Sequence, residues 1–81
     1  MTEAQIKETI LKGLGTIAPE ADLSTLHPHA NVRETLDIDS FDFLNFLIGL
    51  NDALGVEIPE ADYGQLATLA DIVAYLRARV R

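Results

Sequence analysis

Residues 39–55 read DSFDFLNFLIGLNDALG, a strongly apolar run that opens on an acid and a serine and closes on a glycine. Apolar residues recur at helical spacing through this run, which predicts a helix from Ser40 to Leu54. Gly55 is expected to lie just past its end, because glycine readily adopts the left-handed conformation found there.

The side chains of this helix separate into two apolar stripes when they are placed at about 100° per residue. The stripe that is wide enough to serve as the core face contains Phe43, Phe46, Leu47, Leu50 and Leu54. The stripe on the far side of Ser40 contains Phe41, Leu44 and Ile48. Because a domain this small cannot cover a helix on every side, we expect the second stripe to be an exposed partner site. The alternative is a helix that is buried nearly all round.

The remaining segments also have helical patterns, separated by one long connection. Thr2 and Gln5 have the spacing of a capping box ahead of a first helix that stops before Pro19. Residues 18–38 show no sustained period, so they are predicted to be a long loop between the first two main helices. A short helix from Glu60 to about Tyr63 follows.

The last helix opens at Thr68, which with Asp71 has the spacing of a second capping box. Its apolar face contains Leu69, Ile72, Val73, Leu76 and Val80, and its final turns contain Arg77, Arg79 and Arg81. With no strand signal, the sequence predicts an all-α fold. We expect a small four-helix bundle, of three main helices plus one short helix, in a single domain over residues 1–81.

Composition excludes several classes of function. A net charge of −7 leaves no basic patch for nucleic acid or for an anionic membrane surface. There is no cysteine, and the N-terminus lacks the pattern of a secretory signal. His27 and His29 flank Pro28 in the predicted loop and are expected to be exposed rather than metal ligands. We therefore expect a cytoplasmic monomer with no metal site and no membrane insertion.

Ser40 lies in a region without any basic residue. From Glu34 to Asp62 there is no Lys or Arg, and the acids are Glu34, Asp37, Asp39, Asp42, Asp52, Glu57, Glu60 and Asp62. A serine hydroxyl at a helix N-terminus, surrounded by these acids, is suited to modification by a basic partner. The chain is too small to house a nucleophile elbow and an oxyanion hole, so a catalytic serine is not expected. The plain alternative is a first-turn serine with no chemistry.

Three segments, in order and at matching intervals, resemble an acyl carrier protein. They are Asp-Ser-Phe-Asp at 39–42, Gly-Val-Glu-Ile-Pro at 55–59, and Leu-Ala-Thr-Leu-Ala-Asp-Ile-Val-Ala-Tyr-Leu at 66–76. The family signature is Asp-Ser-Leu at the start of its second helix, with an acid after it. The resemblance covers essentially the whole chain.

The resemblance implies that Ser40 is the attachment point for 4′-phosphopantetheine, transferred from coenzyme A by a phosphopantetheinyl transferase. Asp39 matches the motif aspartate, which caps the helix and takes part in recognition by the transferase. The residues matched to partner-facing positions are Phe41, Asp42, Leu44, Ile48, Glu57, Glu60 and Asp62. The partners implied are acyl-loading and acyl-using enzymes with basic patches. The protein itself is then a carrier of thioesters in fatty-acid, lipid or polyketide-type biosynthesis and not an enzyme.

The chain also departs from the family pattern. Phe41 replaces the usual Leu or Met, Asn45 and Asn51 stand where acids are common, and Asp37 replaces a loop glycine. These departures favour a specialised carrier. The alternative from another class is an unmodified acidic adaptor that docks a partner through Phe41, Leu44 and Ile48. For Glu57, Glu60 and Asp62, an ordinary solvated charged face is an equally good interpretation.

Overall fold

The computed structural model describes residues 1–80 and confirms an all-α fold. Its three long helices are α1 (Glu3–Ile17), α3 (Ser40–Leu54) and α4 (Leu69–Arg79), and a shorter helix, α2, spans Val32–Leu36. Single 3-10 segments cover Leu23–Thr25 and Glu60–Gln65. No β-strand occurs within residues 1–80. The prediction that Arg81 lies in the last helix falls outside the described residues.

The connection between α1 and α3 is more ordered than the sequence suggests. It contains α2 and the first 3-10 segment, where only a loop was predicted. A five-residue helix is too short to produce a recognisable hydrophobic period. Asn31 caps α2 by accepting a hydrogen bond from the Glu34 backbone N–H at 3.0 Å. Apolar side chains anchor the connection to the core, and the buried ones are Leu26, Val32 and Ile38.

Backbone hydrogen bonds fasten this connection to the start of α4. The Val32 N–H donates to the Ala67 carbonyl and the Ala70 N–H donates to the Pro28 carbonyl, each at 2.9 Å. Thr68 caps α4 by accepting a hydrogen bond from the Asp71 N–H at 3.0 Å. The segment that leads to Ser40 is therefore held by another part of the chain and not only by its own side chains.

The core lies where α1 meets α3 and α4. The predicted core face of α3 is confirmed for Phe43, Phe46, Leu47 and Leu50, which are buried, while Leu54 is half-buried. Gly55 has φ 64° and ψ 29° and ends α3 in the left-handed conformation, as predicted. The capping box of Thr2 and Gln5 is also present.

The close approach of α1 to α3 depends on Gly13. A Cβ placed on Gly13 would lie 3.0 Å from two carbons of the Phe46 ring. Real Cβ atoms rarely come that close to a neighbour, so the glycine lets the ring of Phe46 lie directly on the backbone of α1. Glycine usually weakens the interior of a helix, whereas in α1 Gly13 allows this packing.

We expect Gly13→Ala and Gly49→Ala to have opposite effects on stability. Alanine at Gly49, which has open space around it, should stabilise by about 0.5–1 kcal/mol through helix propensity. The same gain at Gly13 should be outweighed by overpacking against Phe46, which typically costs about 1–3 kcal/mol. Urea unfolding of both variants measures the difference. Equal stabilisation by the two alanines would show that Phe46 yields without cost.

Candidate functional site

Ser40 follows a tight turn built around Asp37. Asp37 has φ 53° and ψ 49°, and it is the only non-glycine residue with positive φ within residues 1–80. Glycine adopts this conformation without a Cβ penalty, and aspartate is among the few other residues that tolerate it. The Ile38 N–H donates to the Arg33 carbonyl at 2.9 Å, and the Ile38 side chain is buried. The turn therefore needs a residue that accepts a left-handed backbone, and Asp37 provides one.

Asp39, and not Ser40, is the N-cap of α3. Its Oδ1 accepts a hydrogen bond from the Asp42 backbone N–H at 2.8 Å. Ser40 is the first residue of the helix and its side chain is exposed. The capping role predicted for Asp39 is confirmed, and it leaves the serine hydroxyl out of the cap and open to another molecule.

A groove of about 330 Å³ begins at Ser40. Its walls are mostly apolar and include Phe43 and Leu47 from α3 and Tyr63 from the second 3-10 segment. Arg33 and Asn31 are polar residues that also line it. A larger groove of about 580 Å³ lies between α1 and α4, but Ser40 does not line it. The groove that can serve chemistry at Ser40 is therefore the smaller one.

The second stripe of α3 is exposed, as the helical geometry predicted. Phe41 is 70% exposed, Ile48 47% and Leu44 37%. Apart from Met1, these are the only exposed large apolar side chains within residues 1–80. Below we call Phe41, Leu44 and Ile48 the exposed stripe. Three apolar groups on one side of Ser40 form a surface suited to contact with a protein.

The acids predicted to face partners differ in their surroundings. Glu57 and Glu60 are exposed, and Asp42 is half-buried in the first turn of α3. Asp62 is also half-buried, and its Oδ2 accepts a hydrogen bond from the Tyr75 hydroxyl at 2.6 Å. The Asp62 carboxylate is therefore engaged inside the molecule, which supports a structural role more than a contact with partners.

Asp62, Tyr75 and Arg79 form a small cluster that joins the second 3-10 segment to α4. The Arg79 guanidinium carbon lies 3.6 Å from the centre of the Tyr75 ring, and its Nη2 lies 4.0 Å from Asp62 Oδ2. Tyr75 is buried, although the predicted apolar face of the last helix did not include it. Its pairing with Asp62 spans thirteen positions in the chain, so no local pattern could have indicated it.

The structure also locates the two loop histidines. His27 and His29 are exposed, with ring centres 5.7 Å apart. Within residues 1–80 no group of three or more His, Asp and Glu side chains is placed to hold a metal ion. No helix in the same range has both the length and the apolar character to cross a bilayer.

Comparison with known proteins identifies the class to which this fold and serine belong. The family model described as "Phosphopantetheine attachment site" matches residues 4–76. The meromycolate extension acyl carrier protein of Mycolicibacterium smegmatis is 34% identical over 77 residues, covering 91% of this chain and 78% of the relative. The acyl carrier protein of Myxococcus xanthus is 33% identical over 73 residues, covering 86% and 92%. That of Lactobacillus acidophilus is 32% identical over 59 residues, covering 73% and 74%.

A helical bundle that matches a phosphopantetheine attachment model over most of its length is a carrier of activated acyl groups. The chain belongs to the acyl carrier protein family. It is therefore a carrier and not an enzyme. It functions in fatty-acid or lipid biosynthesis with covalently bound 4′-phosphopantetheine, and it interacts with a phosphopantetheinyl transferase and with acyl-handling enzymes.

The residues present fit this prosthetic group. Ser40 is exposed at the first turn of α3, where free backbone N–H groups favour an anion. The adjoining groove offers apolar walls for an extended arm. When bound, the group supplies a terminal thiol for thioester formation, which a chain without cysteine cannot supply itself.

The Tyr75–Asp62 hydrogen bond should be visible in the pH dependence of stability. Burial of the ring, followed by the hydrogen bond to Asp62, raises the pKa of Tyr75 above its usual value of about 10. The neutral phenol is thus favoured in the folded state. The stability that the neutral Tyr75 hydroxyl contributes is complete below pH 10 and is lost as the pH rises through the higher pKa of the folded state.

We expect Tyr75→Phe to cost about 1–2 kcal/mol at pH 7 and to flatten the loss of stability above pH 10. Urea unfolding of wild type and variant between pH 7 and pH 11 measures both effects. Tyr63→Phe, at a half-buried residue outside this cluster, is the control and should change little. Parallel pH profiles for wild type and Tyr75→Phe would contradict the assignment.

Proposed function

We propose that the Ser40 hydroxyl is the attachment point for 4′-phosphopantetheine in this carrier. The observation that carries the proposal is that the exposed serine of the Asp-Ser motif is the first residue of α3 and opens onto an apolar groove. The Asp39 carboxylate holds the first turn of the helix in place by its hydrogen bond to the Asp42 N–H. Because Asp39 is next to the serine, the transferase also recognises it.

The exposed stripe and the neighbouring acids are the surface on which partner enzymes dock. Phe41, Leu44 and Ile48 supply apolar area on the Ser40 side of α3, and Asp42 supplies negative charge in the first turn with Ser40. The exposed acids Glu57 and Glu60 follow the other end of the helix and extend the negative charge there. Such a surface suits enzymes that present an apolar depression bordered by basic residues. Asp62 contributes less to this surface, because its carboxylate is held by Tyr75.

The carrier is proposed to be specialised for particular partners. The support comes from its departures from the family pattern. The relatives named above include both a meromycolate extension carrier and proteins named simply as acyl carriers. Phe41 places a ring, 70% exposed, directly after Ser40. A partner built for a smaller aliphatic group at this position would meet a steric conflict. The monomeric state and the cytoplasmic location expected from the sequence remain predictions.

Incubation with coenzyme A and a broad-specificity phosphopantetheinyl transferase should increase the mass of the protein by one phosphopantetheine. Ser40→Ala should abolish the increase, and Ser24→Ala, which removes an exposed hydroxyl elsewhere, should not. Intact-protein mass spectrometry measures the result. A mass increase that persists in Ser40→Ala would refute attachment at this residue.

Ile48→Arg should lower kcat/KM for the transferase about tenfold or more, which corresponds to about 1.4 kcal/mol. The arginine disrupts the exposed stripe and places a cation opposite the basic residues of the partner. Ala53→Arg adds the same charge at an exposed residue of α3 outside the stripe and is the control. Circular dichroism should show both variants helical; loss of helix content in Ile48→Arg would mean that Ile48 belongs to the core.

A further inference from the structure

Arg33 is an isolated cation in the middle of the chain. No other Lys or Arg occurs between Lys12 and Arg77. Nothing in the motif around Ser40 indicates a role for it, and it lies outside the run that resembles the family signature. The structure nevertheless places it in the lining of the groove that Ser40 also lines.

Two hydrogen bonds hold Arg33 close to the start of α3. The Arg33 carbonyl accepts from the Ile38 N–H at 2.9 Å, and the Arg33 Nε–H donates to the Ile38 carbonyl at 3.4 Å. Ile38 is two residues before Ser40, and its side chain is buried. The guanidinium therefore lies beside the turn that presents the serine.

The donors of this guanidinium are largely uncommitted. Arginine has five N–H donors, and the hydrogen bond to Ile38 uses only the one on Nε. The two ion pairs found within residues 1–80 join Arg77 to Glu3 and Arg79 to Asp62, so neither includes Arg33. Among residues 1–80, no carboxylate lies within ion-pair distance of Arg33, even though Glu34 follows it in the chain.

The charge around Ser40 gives such a cation a function. Asp37, Asp39 and Asp42 all lie within three residues of the serine. A phosphodiester formed on Ser40 adds another negative charge to this group, and neighbouring like charges repel. An arginine fork matches phosphate oxygens in geometry and in charge.

We propose that Arg33 is a positioning residue that pairs with the phosphodiester on Ser40 and holds the base of the prosthetic arm at the mouth of the groove. This rests on the proposed attachment at Ser40. The competing explanation is that Arg33 only braces the turn through its bond to Ile38. A brace would stabilise the protein before and after modification by the same amount, whereas a phosphate partner stabilises only the modified protein.

The test is the change in Tm on modification, measured for wild type and Arg33→Gln at low salt. Because exposed ion pairs contribute modestly, we expect the increment in wild type to exceed that in Arg33→Gln by roughly 2–4 °C. Salt should shrink this difference. Arg77→Gln is the matched control, since it removes the same charge from the far end of α4 and should leave the increment unchanged.

Arg33→Lys separates the charge from the brace. Lysine keeps the cation but lacks the Nε–H bonded to Ile38, so Tm should fall in both forms while the increment on modification is largely retained. The phosphorus-31 resonance of the modified protein should shift in Arg33→Gln and not in Arg77→Gln. If Arg33→Gln folds poorly, the wild type alone still tests the proposal. Pairing predicts a positive increment that shrinks as salt is added, whereas a new anion without a partner among these acids predicts an increment that rises with salt and would overturn the pairing.

The outcomes are distinct. If the wild-type protein gains no mass at Ser40, the proposed attachment itself is wrong, and there is no phosphodiester for Arg33 to pair with. Modified protein with equal increments in wild type, Arg33→Gln and Arg77→Gln overturns the pairing and leaves the brace. Slower modification of Arg33→Gln with an unchanged increment also overturns it, because Arg33 would then contact the transferase.

Discussion

The packing of Phe46 against the backbone of α1 at Gly13 determines which face of α3 is buried. Side chains on a helix keep a set angular relation, so burying Phe46 places Phe41, five residues away and about 140° round the helix, toward solvent. Ser40 and the exposed stripe depend on that rotation for their position. A helix with apolar groups on both sides could in principle bury either one, and the close contact at Gly13 favours a single choice.

The segment before α3 then sets where that exposed face begins. Val32 and Ile38 are buried, the Val32 N–H is bonded to the Ala67 carbonyl near α4, and Asp37 turns the chain in a left-handed conformation. Asp39 completes the turn by capping the helix. Ser40 is thus exposed in its side chain but held in its backbone, which is what a modifying enzyme needs in order to meet a hydroxyl in one fixed place.

Local sequence was sufficient for much of this. The two stripes of α3, the cap at Thr2, the left-handed end at Gly55 and the exposure of Ser40 all follow from spacing and residue type, because helices are local structures. What could not be predicted depends on distant contacts or on elements too short to show a period. α2 has five residues, Asp62 meets Tyr75 across thirteen positions, and Arg33 becomes relevant only because the turn returns it to the groove beside Ser40.

The distribution of apolar groups and charge on the proposed docking surface would suit contact with successive enzymes. A carrier must leave each partner before it meets the next, so a large apolar interface would be a disadvantage. In the proposed docking surface, three exposed apolar side chains would provide limited area, while surface acids such as Glu57 and Glu60 would act at longer range and speed the encounter with basic partners. Asp62 contributes less to this long-range attraction, because its carboxylate contacts Tyr75 and Arg79. Selectivity among partner enzymes is then expected to depend on the shape of Phe41 beside Ser40 more than on the number of charges. The ring must fit the partner's surface before the serine can reach the partner's active site.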